Sequence, residues 1–290
     1  MKMSFDWNDY ECIDASSSEK LERWKDVILR RPDPQAMWKS DKNSPDWKNA
    51  HATYFRDKKG GGEWKYNKPF KPEWTIEYKG LVFKVAPTGF KHTGLFPEQA
   101  INWDYTMESI KNAGRPIKVL NLFAYTGGAT MAASKAGASE VVHVDASKGM
   151  VAWAKENMVL SGLEKNKIRF IIDDCLKFVE REKRRGNKYD VIIMDPPSYG
   201  RGPNGEIWKF EDSIYTLINA CMEILSDKPL FMLINSYTTG ISSIVLENIL
   251  KTTLLEKYPN YSVEAGEIGL PITKNNLVLP CGIYGLFKEN

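Results

Sequence analysis

The fold is decided by one stretch, Lys118-Val119-Leu120-Asn121-Leu122-Phe123-Ala124-Tyr125-Thr126-Gly127-Gly128. Its first half is a short apolar run, which is typical of a buried strand, and its second half is a turn that ends in two glycines. Glycine at a strand-to-helix turn lets a ligand approach the backbone closely, and the helix that follows presents free N–H groups. Many α/β proteins without a nucleotide ligand have such a turn, so by itself it predicts only an α/β unit.

Outward from this stretch, apolar strand runs alternate with helical runs to the end of the chain. The predicted strands are 117–123, 141–144, 168–172, 191–194 and 230–234, and the predicted helices are 129–135, 148–160, 176–185, 214–225 and 243–257. This alternation is typical of a parallel sheet that is covered by helices on both faces. The sequence therefore predicts a doubly wound, Rossmann-like α/β sheet, with ligands at the carboxyl ends of its strands.

The first 87 residues have a different texture, in which short β-prone runs are separated by Pro, Gly and Asn/Asp clusters. These runs are 10–14, 27–31, 52–56, 74–78 and 81–86. Tyr78-Lys79-Gly80-Leu81 predicts a hairpin turn, and residues 60–62 predict a mobile loop or a hairpin tip. Since 290 residues allow one large and one smaller domain, we predict a small β-rich domain over 1–87 and a larger α/β domain over 88–290, with 88–113 as a connecting segment.

Charge is unevenly distributed along the chain. The net charge is only +3, but residues 39–91 contain twelve Lys/Arg and six Asp/Glu. The aromatic residues interleaved with them are Trp38, Trp47, Tyr54, Phe55, Trp64, Tyr66 and Trp74. Because cations bind phosphates and flat rings stack on bases, this pattern suits an RNA partner. A small β domain with an aromatic core and solvated lysines is the alternative.

Composition excludes several classes of protein. The chain is 42% hydrophobic and 27% charged, which is ordinary for a globular protein and unlike a disordered one. No run reaches the roughly 18 apolar residues that cross a bilayer, and no signal peptide is recognisable, so we expect a cytoplasmic protein without a membrane partner. The scattered Cys12, Cys175, Cys221 and Cys281 predict neither a metal site nor disulfides. The oligomeric state is left open.

Carboxylates follow the second and third predicted strands. Asp145 ends the second strand, where it can accept hydrogen bonds from both hydroxyls of a ribose, or cap the next helix. Asp174 follows the third strand, where it can accept a hydrogen bond from an adenine amine, or cap the helix that begins near Leu176. Cys175 beside it is expected to be a packing residue.

The sharpest signal follows the fourth predicted strand, in Asp195-Pro196-Pro197-Ser198-Tyr199. Two prolines prevent a helix and fix the chain direction, so that Asp195 and the backbone carbonyls face the crevice. Residues 201–205 are predicted to close over this site or to be a flexible surface loop.

Together these motifs resemble class I S-adenosylmethionine-dependent methyltransferases, specifically the bacterial ribosomal RNA large-subunit methyltransferases that modify cytosine C5 or guanine N7. The likeness spans residues 81–236 and includes the segment 91–99, Lys-His-Thr-Gly-Leu-Phe-Pro-Glu-Gln. It implies that S-adenosyl-L-methionine is the cofactor, that Asp145 binds its ribose and Asp174 its adenine, and that residues 195–197 bind the target. For a nitrogen target, Asp195 and the Pro196 carbonyl would orient the N–H groups, Ser198 would add a hydrogen bond and Tyr199 would stack on an extruded base. The cofactor residues that it implies are Lys91, Thr93, Phe96, Gln99, Asn121, Phe123, Ala124, Tyr125, Thr126, Gly127, Asp145, Ala146, Ser147, Asp174 and Cys175, and the catalytic residues are Asp195, Pro196, Pro197, Ser198 and Tyr199.

The chain departs from the family pattern in three places. Phe123 and Tyr125 stand where methyltransferases usually have glycine, which is typical of the ribosomal subgroup. The amino-terminal region does not match the separate RNA-binding domain of those relatives. Methylation of C5 needs a cysteine thiolate, whereas the positions that supply it in the relatives are here Ser198 and Asn235-Ser236-Tyr237. We therefore predict methylation of a base nitrogen in ribosomal RNA. The alternatives are methylation of a protein or small-molecule nitrogen, and a non-catalytic RNA-binding assembly factor.

Overall fold

The computed structural model describes residues 1–57, 61–89 and 91–290, and the amino-terminal part of the chain is rich in strands, as predicted. Its elements are β1 (Tyr10–Ser16), β2 (Glu19–Trp24), β3 (Val27–Pro32), α1 (Pro45–Lys48), β4 (Ala52–Arg56), β5 (Gly62–Tyr66), β6 (Trp74–Tyr78) and β7 (Leu81–Val85). Strands β1 to β5 form one sheet in sequence order, in which only β3 and β4 are parallel neighbours. Strands β6 and β7 form the predicted hairpin, since Lys79 and Gly80 have φ of 48° and 76°, as a type I′ turn requires.

Strand β2 was not predicted, because it is highly charged, yet its charges are paired inside the fold. Glu22 is fully buried, and its carboxylate accepts hydrogen bonds from Arg31 at 2.6 and 2.8 Å and from the Tyr10 hydroxyl at 2.8 Å. Burial alone would raise the pKa of Glu22, but the charges of Arg31 and Lys20 outweigh it and lower that pKa to about 2. Removing one partner would leave an uncompensated buried charge.

The rest of the chain alternates strands and helices. Its elements are α2 (Ala100–Asn112), β8 (Lys118–Leu122), α3 (Gly128–Lys135), β9 (Glu140–Asp145), α4 (Lys148–Leu160), β10 (Ile168–Ile172), α5 (Cys175–Arg184), β11 (Val191–Met194), β12 (Tyr199–Arg201), β13 (Ile207–Lys209), α6 (Phe210–Ile224), β14 (Phe231–Ser236), α7 (Ser243–Leu254), β15 (Tyr261–Pro271) and β16 (Val278–Glu289). Helix α2 lies within the segment that was predicted to be a connection, and β12, β13, β15 and β16 were not predicted.

The large sheet has the order β10-β9-β8-β11-β14-β16-β15. The first five of these strands are parallel, and β16 is antiparallel to β14, so the prediction of a parallel sheet is correct for five strands only. Helix α3 packs on α4, while α5, α6 and α7 form a second packed group. The doubly wound α/β prediction is confirmed. The strand order reverses between β8 and β11, and the loops that follow these two strands therefore flank a crevice.

The chain packs into two units that interleave in sequence. The amino-terminal unit comprises Lys2–Ile101 and Gly269–Cys281, and the carboxy-terminal unit comprises Met1, Asn102–Ile268 and Gly282–Asn290. The predicted boundary between residues 87 and 88 stays a prediction. No helix within the described ranges is both long and apolar enough to cross a bilayer.

The returning segment is bonded to β1 inside the amino-terminal unit. Ile272 forms a parallel bridge with Cys12, whose carbonyl accepts a hydrogen bond from the Thr273 N–H at 3.1 Å. The ammonium of Lys274 lies 2.8 Å from the buried carboxylate of Asp14. Residues 272–274, which lie near the end of the sequence, therefore bond to the first strand of the sheet that β1 to β5 form.

Candidate active site

Residues 123–127, which we call the cofactor turn, leave β8 in an unusual backbone conformation. Phe123, Tyr125 and Gly127 have φ of 52°, 49° and 87°, so three alternate residues are left-handed, and two of them are aromatic. Non-glycine residues in this region are uncommon and concentrate at functional sites, where the surrounding structure holds them. The turn is closed by hydrogen bonds from the Ala124 N–H to the Val144 carbonyl and from the Gly127 N–H to the Ala124 carbonyl.

Buried polar side chains lie next to the cofactor turn, and Asn157 bonds to it directly. The Asn121 amide donates to the Thr130 hydroxyl at 2.9 Å, and that hydroxyl lies 2.9 Å from His143 Nδ1. The Asn157 amide donates to the Thr126 carbonyl at 2.9 Å. Burial lowers the pKa of His143 to about 3, so this ring is neutral. The Asn121 amide is bonded to Thr130, and its predicted contact with the cofactor stays a prediction. Sequence reasoning did not identify Thr130, His143 or Asn157.

Gly128 begins α3 where no side chain fits. A Cβ at this position would lie 2.6 Å from Cζ2 of Trp103, a distance that real contacts do not allow. The glycine therefore lets the start of the helix rest directly on the indole ring. Trp103 was not predicted to contribute to this site.

Asp145 ends β9 with its carboxylate against the cofactor turn. Oδ2 accepts a hydrogen bond from the Tyr125 N–H and Oδ1 accepts one from the Ser147 N–H, both at 2.8 Å. Burial raises the pKa of Asp145, although the two N–H groups oppose this effect. A carboxylate has about four lone-pair positions, so acceptor capacity remains for two hydroxyls. The N-cap of α4 is Ser147, not Asp145.

Asp174 is the N-cap of α5, which was its alternative prediction. Its Oδ1 accepts a hydrogen bond from the Lys177 N–H at 2.9 Å, which leaves Oδ2 for a second role. The neighbouring Cys175 is buried, and its Sγ accepts a hydrogen bond from the Phe123 N–H at 3.3 Å. Burial raises the pKa of this thiol well above its usual value. Cys175 is therefore a neutral packing residue beside the cofactor turn.

The predicted cofactor residues Lys91, Thr93, Phe96 and Gln99 lie in the amino-terminal unit, whereas the cofactor turn lies in the other unit. The Thr93 hydroxyl is buried without a hydrogen-bond partner among the residues that the structure describes. Burial and neighbouring cations lower the pKa of Lys91 to about 8. A buried orphan hydroxyl and a destabilised ammonium are typical of a binding site. Their assignment to the cofactor stays a prediction.

Residues 195–198, which we call the target turn, follow β11, and hydrogen bonds from three other residues hold the turn. The Trp208 indole N–H donates to the Pro197 carbonyl at 2.6 Å. The Ser198 hydroxyl accepts a hydrogen bond from the Thr238 hydroxyl at 2.9 Å, and the Ser198 carbonyl accepts one from the Phe210 N–H at 3.0 Å. The ring of Trp208 also lies 4.9 Å from the ring of Phe123, so one indole contacts both the target turn and the cofactor turn.

The end of β14 completes this side of the crevice without a thiol. Asn235 is buried and accepts a hydrogen bond from the Asn102 amide at 2.9 Å, and the Ser236 hydroxyl accepts one from the Thr238 N–H at 3.2 Å. The carboxy-terminal unit contains two cysteines, Cys175 and Cys221. Cys221 is fully buried in the helix layer, and burial raises its pKa too.

Comparison with known families decides what this arrangement is. The sequence profile of the S-adenosylmethionine-dependent methyltransferases matches residues 44–248. The chain belongs to this family. The predicted resemblance and the predicted cofactor, S-adenosyl-L-methionine, are thereby confirmed.

In sequence, the chain is similar to Ribosomal RNA large subunit methyltransferase K/L of two bacteria. It is 32% identical over 169 residues to the protein of Shewanella frigidimarina, which is 58% of this chain and 23% of the relative. It is 37% identical over 132 residues to that of Shewanella baltica strain OS155, which is 46% of this chain and 18% of the relative. The chain spans about a fifth of the length of these relatives.

Solved structures of methyltransferases extend the likeness to almost the whole chain. The S-adenosylmethionine-dependent methyltransferase from Agrobacterium tumefaciens has a TM-score of 0.93 at 36% identity, with 99% of this chain and 93% of that chain covered. SMU.776, solved in complex with SAH, has a TM-score of 0.73 at 17% identity, with 97% and 76% covered, which shows a shared fold alone.

Proposed function

We propose that this protein transfers the methyl group of S-adenosylmethionine to a base nitrogen of large-subunit ribosomal RNA. The observation that carries this proposal is the target turn, Asp195-Pro196-Pro197-Ser198, held beside the cofactor turn at the switch point of the sheet. It offers a carboxylate and fixed carbonyls, which accept hydrogen bonds from N–H groups, and it has no cysteine within it.

The cofactor turn and Asp145 fit S-adenosylmethionine. The carboxylate has acceptor capacity for the ribose hydroxyls, and left-handed residues such as Phe123 and Tyr125 concentrate at functional sites. When bound, the cofactor supplies a methyl group that its positive sulfonium has already activated. The protein therefore has to align the target with that methyl group, which is a matter of position.

In this proposal, Asp195 and the Pro196 carbonyl accept hydrogen bonds from an amine or a ring N–H, and so direct the nitrogen lone pair. Tyr199 follows the target turn and is 52% exposed, which leaves its ring available to stack on an extruded base. The hydrogen bonds to Pro197 and Ser198 keep the turn in place, so that little reorganisation is needed during transfer.

The two thiols of the carboxy-terminal unit favour a base nitrogen over cytosine C5 as the atom that is methylated. Attack on the ring for C5 methylation needs a thiolate, but burial raises the pKa of both Cys175 and Cys221. Cys175 is also engaged by the Phe123 N–H. Neither group is suited to form a covalent bond to a base.

RNA as the substrate rests on two further observations. The two Shewanella relatives are ribosomal RNA methyltransferases by name. The amino-terminal unit also exposes aromatic rings in its basic region, since Phe55 and Tyr66 are exposed while Trp47 and Tyr54 belong to the core. The aromatics therefore divide between the two predicted roles, and Lys58 and Lys59 lie outside the described residues. A ribosomal substrate would place the protein in the cytoplasm.

The test is mass spectrometry of nucleosides from large-subunit ribosomal RNA of cells with and without the protein. We expect one N-methylated nucleoside to be missing without it, to return with the wild-type chain, and not to return with Asp195→Ala. Loss of 5-methylcytidine would contradict the nitrogen target. An unchanged nucleoside profile would contradict RNA and favour a protein or small-molecule substrate.

A further inference from the structure

Strands β12 and β13 form a two-stranded ribbon whose two faces differ sharply. The pairs are Tyr199 with Lys209, Gly200 with Trp208 and Arg201 with Ile207. Side chains directly opposite each other share a face of a ribbon, and alternate residues change face. Trp208 is buried and a Cβ on Gly200 would lie 3.3 Å from Pro197, so this pair faces the protein.

The other face, which we call the outer face, therefore consists of Tyr199, Arg201, Ile207 and Lys209. All four are exposed, with Ile207 62% and the Lys209 side chain 58% accessible. An exposed aromatic ring and an exposed aliphatic side chain beside two cations form a small mixed surface, which suits a partner that has both flat apolar rings and negative charge. The surface begins one residue after the target turn.

The ribbon is fixed in place, which makes its outer face a defined surface. Glu206 accepts a hydrogen bond from the Asn204 N–H at 2.9 Å and pairs with the ammonium of Lys177 at 2.5 Å, which lowers the pKa of Glu206 to about 2. Trp208 anchors the inner face through its indole N–H to the Pro197 carbonyl. The ribbon is thus tied to α5 on one side and to the target turn on the other.

We propose that the outer face binds the RNA strand next to the target nucleotide, an inference that rests on the proposed function. Arg201 and Lys209 bind backbone phosphates, and Ile207 packs on a neighbouring sugar or base. Tyr199 stacks on the target base itself. Charge complementarity selects the occupant, because both cations point the same way and RNA has a phosphate at every nucleotide. Lys209 has an acidic neighbour, Asp212, but at 3.9 Å in solvent this pair is weak and yields readily to phosphate.

The test measures binding of the full chain, saturated with S-adenosylhomocysteine, to a labelled single-stranded oligoribonucleotide that contains all four bases. Arg201→Gln with Lys209→Gln should weaken binding and flatten the dependence of log K on log salt by about 1.4, from about 0.7 for each phosphate contact. Ile207→Ser should weaken binding without changing that slope.

The matched control is Lys165→Gln with Lys183→Gln. Lys165 precedes β10 and Lys183 lies in the last turn of α5, so both exposed cations lie at the amino edge of the parallel strands, away from the target turn. Their removal should leave the slope unchanged.

An equal slope for wild type and the Arg201/Lys209 variant would overturn the proposal, as would a wild-type affinity for polyglutamate equal to that for RNA. Since binding is read without methylation, these outcomes are separate from failure of the proposed function. That failure would appear as tight, ribbon-dependent RNA binding with no methyl transfer to protein-free ribosomal RNA.

Discussion

Replacing Asp145 with alanine should weaken S-adenosylmethionine binding in a folded protein. The change removes the acceptor of two ribose hydroxyls, and each such bond lost from a desolvated site costs about 1–3 kcal/mol. Two losses amount to at least about 2 kcal/mol, or roughly 30-fold in Kd. The Tyr125 N–H also loses its partner at 2.8 Å, which loosens the cofactor turn and acts in the same direction. Because burial raises the pKa of Asp145, removing its charge relieves a desolvation cost at neutral pH, and the fold should survive.

Calorimetric titration of S-adenosylmethionine across pH measures this effect. The wild-type affinity should be full above the raised pKa of Asp145 and should fall as the pH drops through it, at a higher pH than for an ordinary carboxyl; the variant should lack this dependence. The matched control is Asp190→Ala. That carboxylate likewise accepts a backbone N–H, from Lys118 at 2.9 Å, but lies at the opposite edge of the sheet. An unchanged Kd in folded Asp145→Ala would refute the assignment of this carboxylate to the ribose.

Three further outcomes are expected. Burial and neighbouring cations lower the pKa of Lys91 to about 8, so Lys91→Met should stabilise the fold at neutral pH by about 1–3 kcal/mol in urea denaturation. This gain in stability should shrink as the pH rises above about 8, and a gain that does not change with pH would contradict the lowered pKa of Lys91. Trp208→Phe keeps an aromatic ring but loses the 2.6 Å hydrogen bond to the Pro197 carbonyl, so methyl transfer in a single turnover should slow by roughly tenfold while the Kd of the cofactor stays the same. A transfer rate equal to that of the wild type would show that this hydrogen bond does not position the target turn. Cys175→Ser and Cys221→Ser should retain methyl transfer and form no adduct with 5-fluorocytosine RNA, and a trapped adduct would reinstate cytosine C5.

The parts of the molecule that sequence could predict are those with a local signal. The strand and turn at 118–128 were predictable because apolar runs and glycines act over neighbouring residues. Strand β2 was missed because Glu22 and Arg31 satisfy each other inside the fold, so its charges are no guide to exposure. The ribbon β12–β13 was missed because each strand has only three residues.

The supports of the cofactor turn were missed for a different reason. Asn157 bonds to the turn from α4, and Thr130 links Asn121 to His143 beside it, and nothing in sequence spacing marks a polar residue as facing inward. His143 did leave a signal, since it interrupts an otherwise apolar strand. The signal could not say what the ring contacts, which depends on how α3 packs on β9.

Because segment 269–281 belongs to the amino-terminal unit, no single cut through the chain separates the two units. Deleting residues 1–101 would leave Ile272 and Leu279, both buried, without their surroundings, and would strip Lys274 of Asp14. A truncated core prepared in this way should aggregate. For the same reason, the amino-terminal unit is not a simple leading module of the chain, because its fold is completed by the connection between β15 and β16.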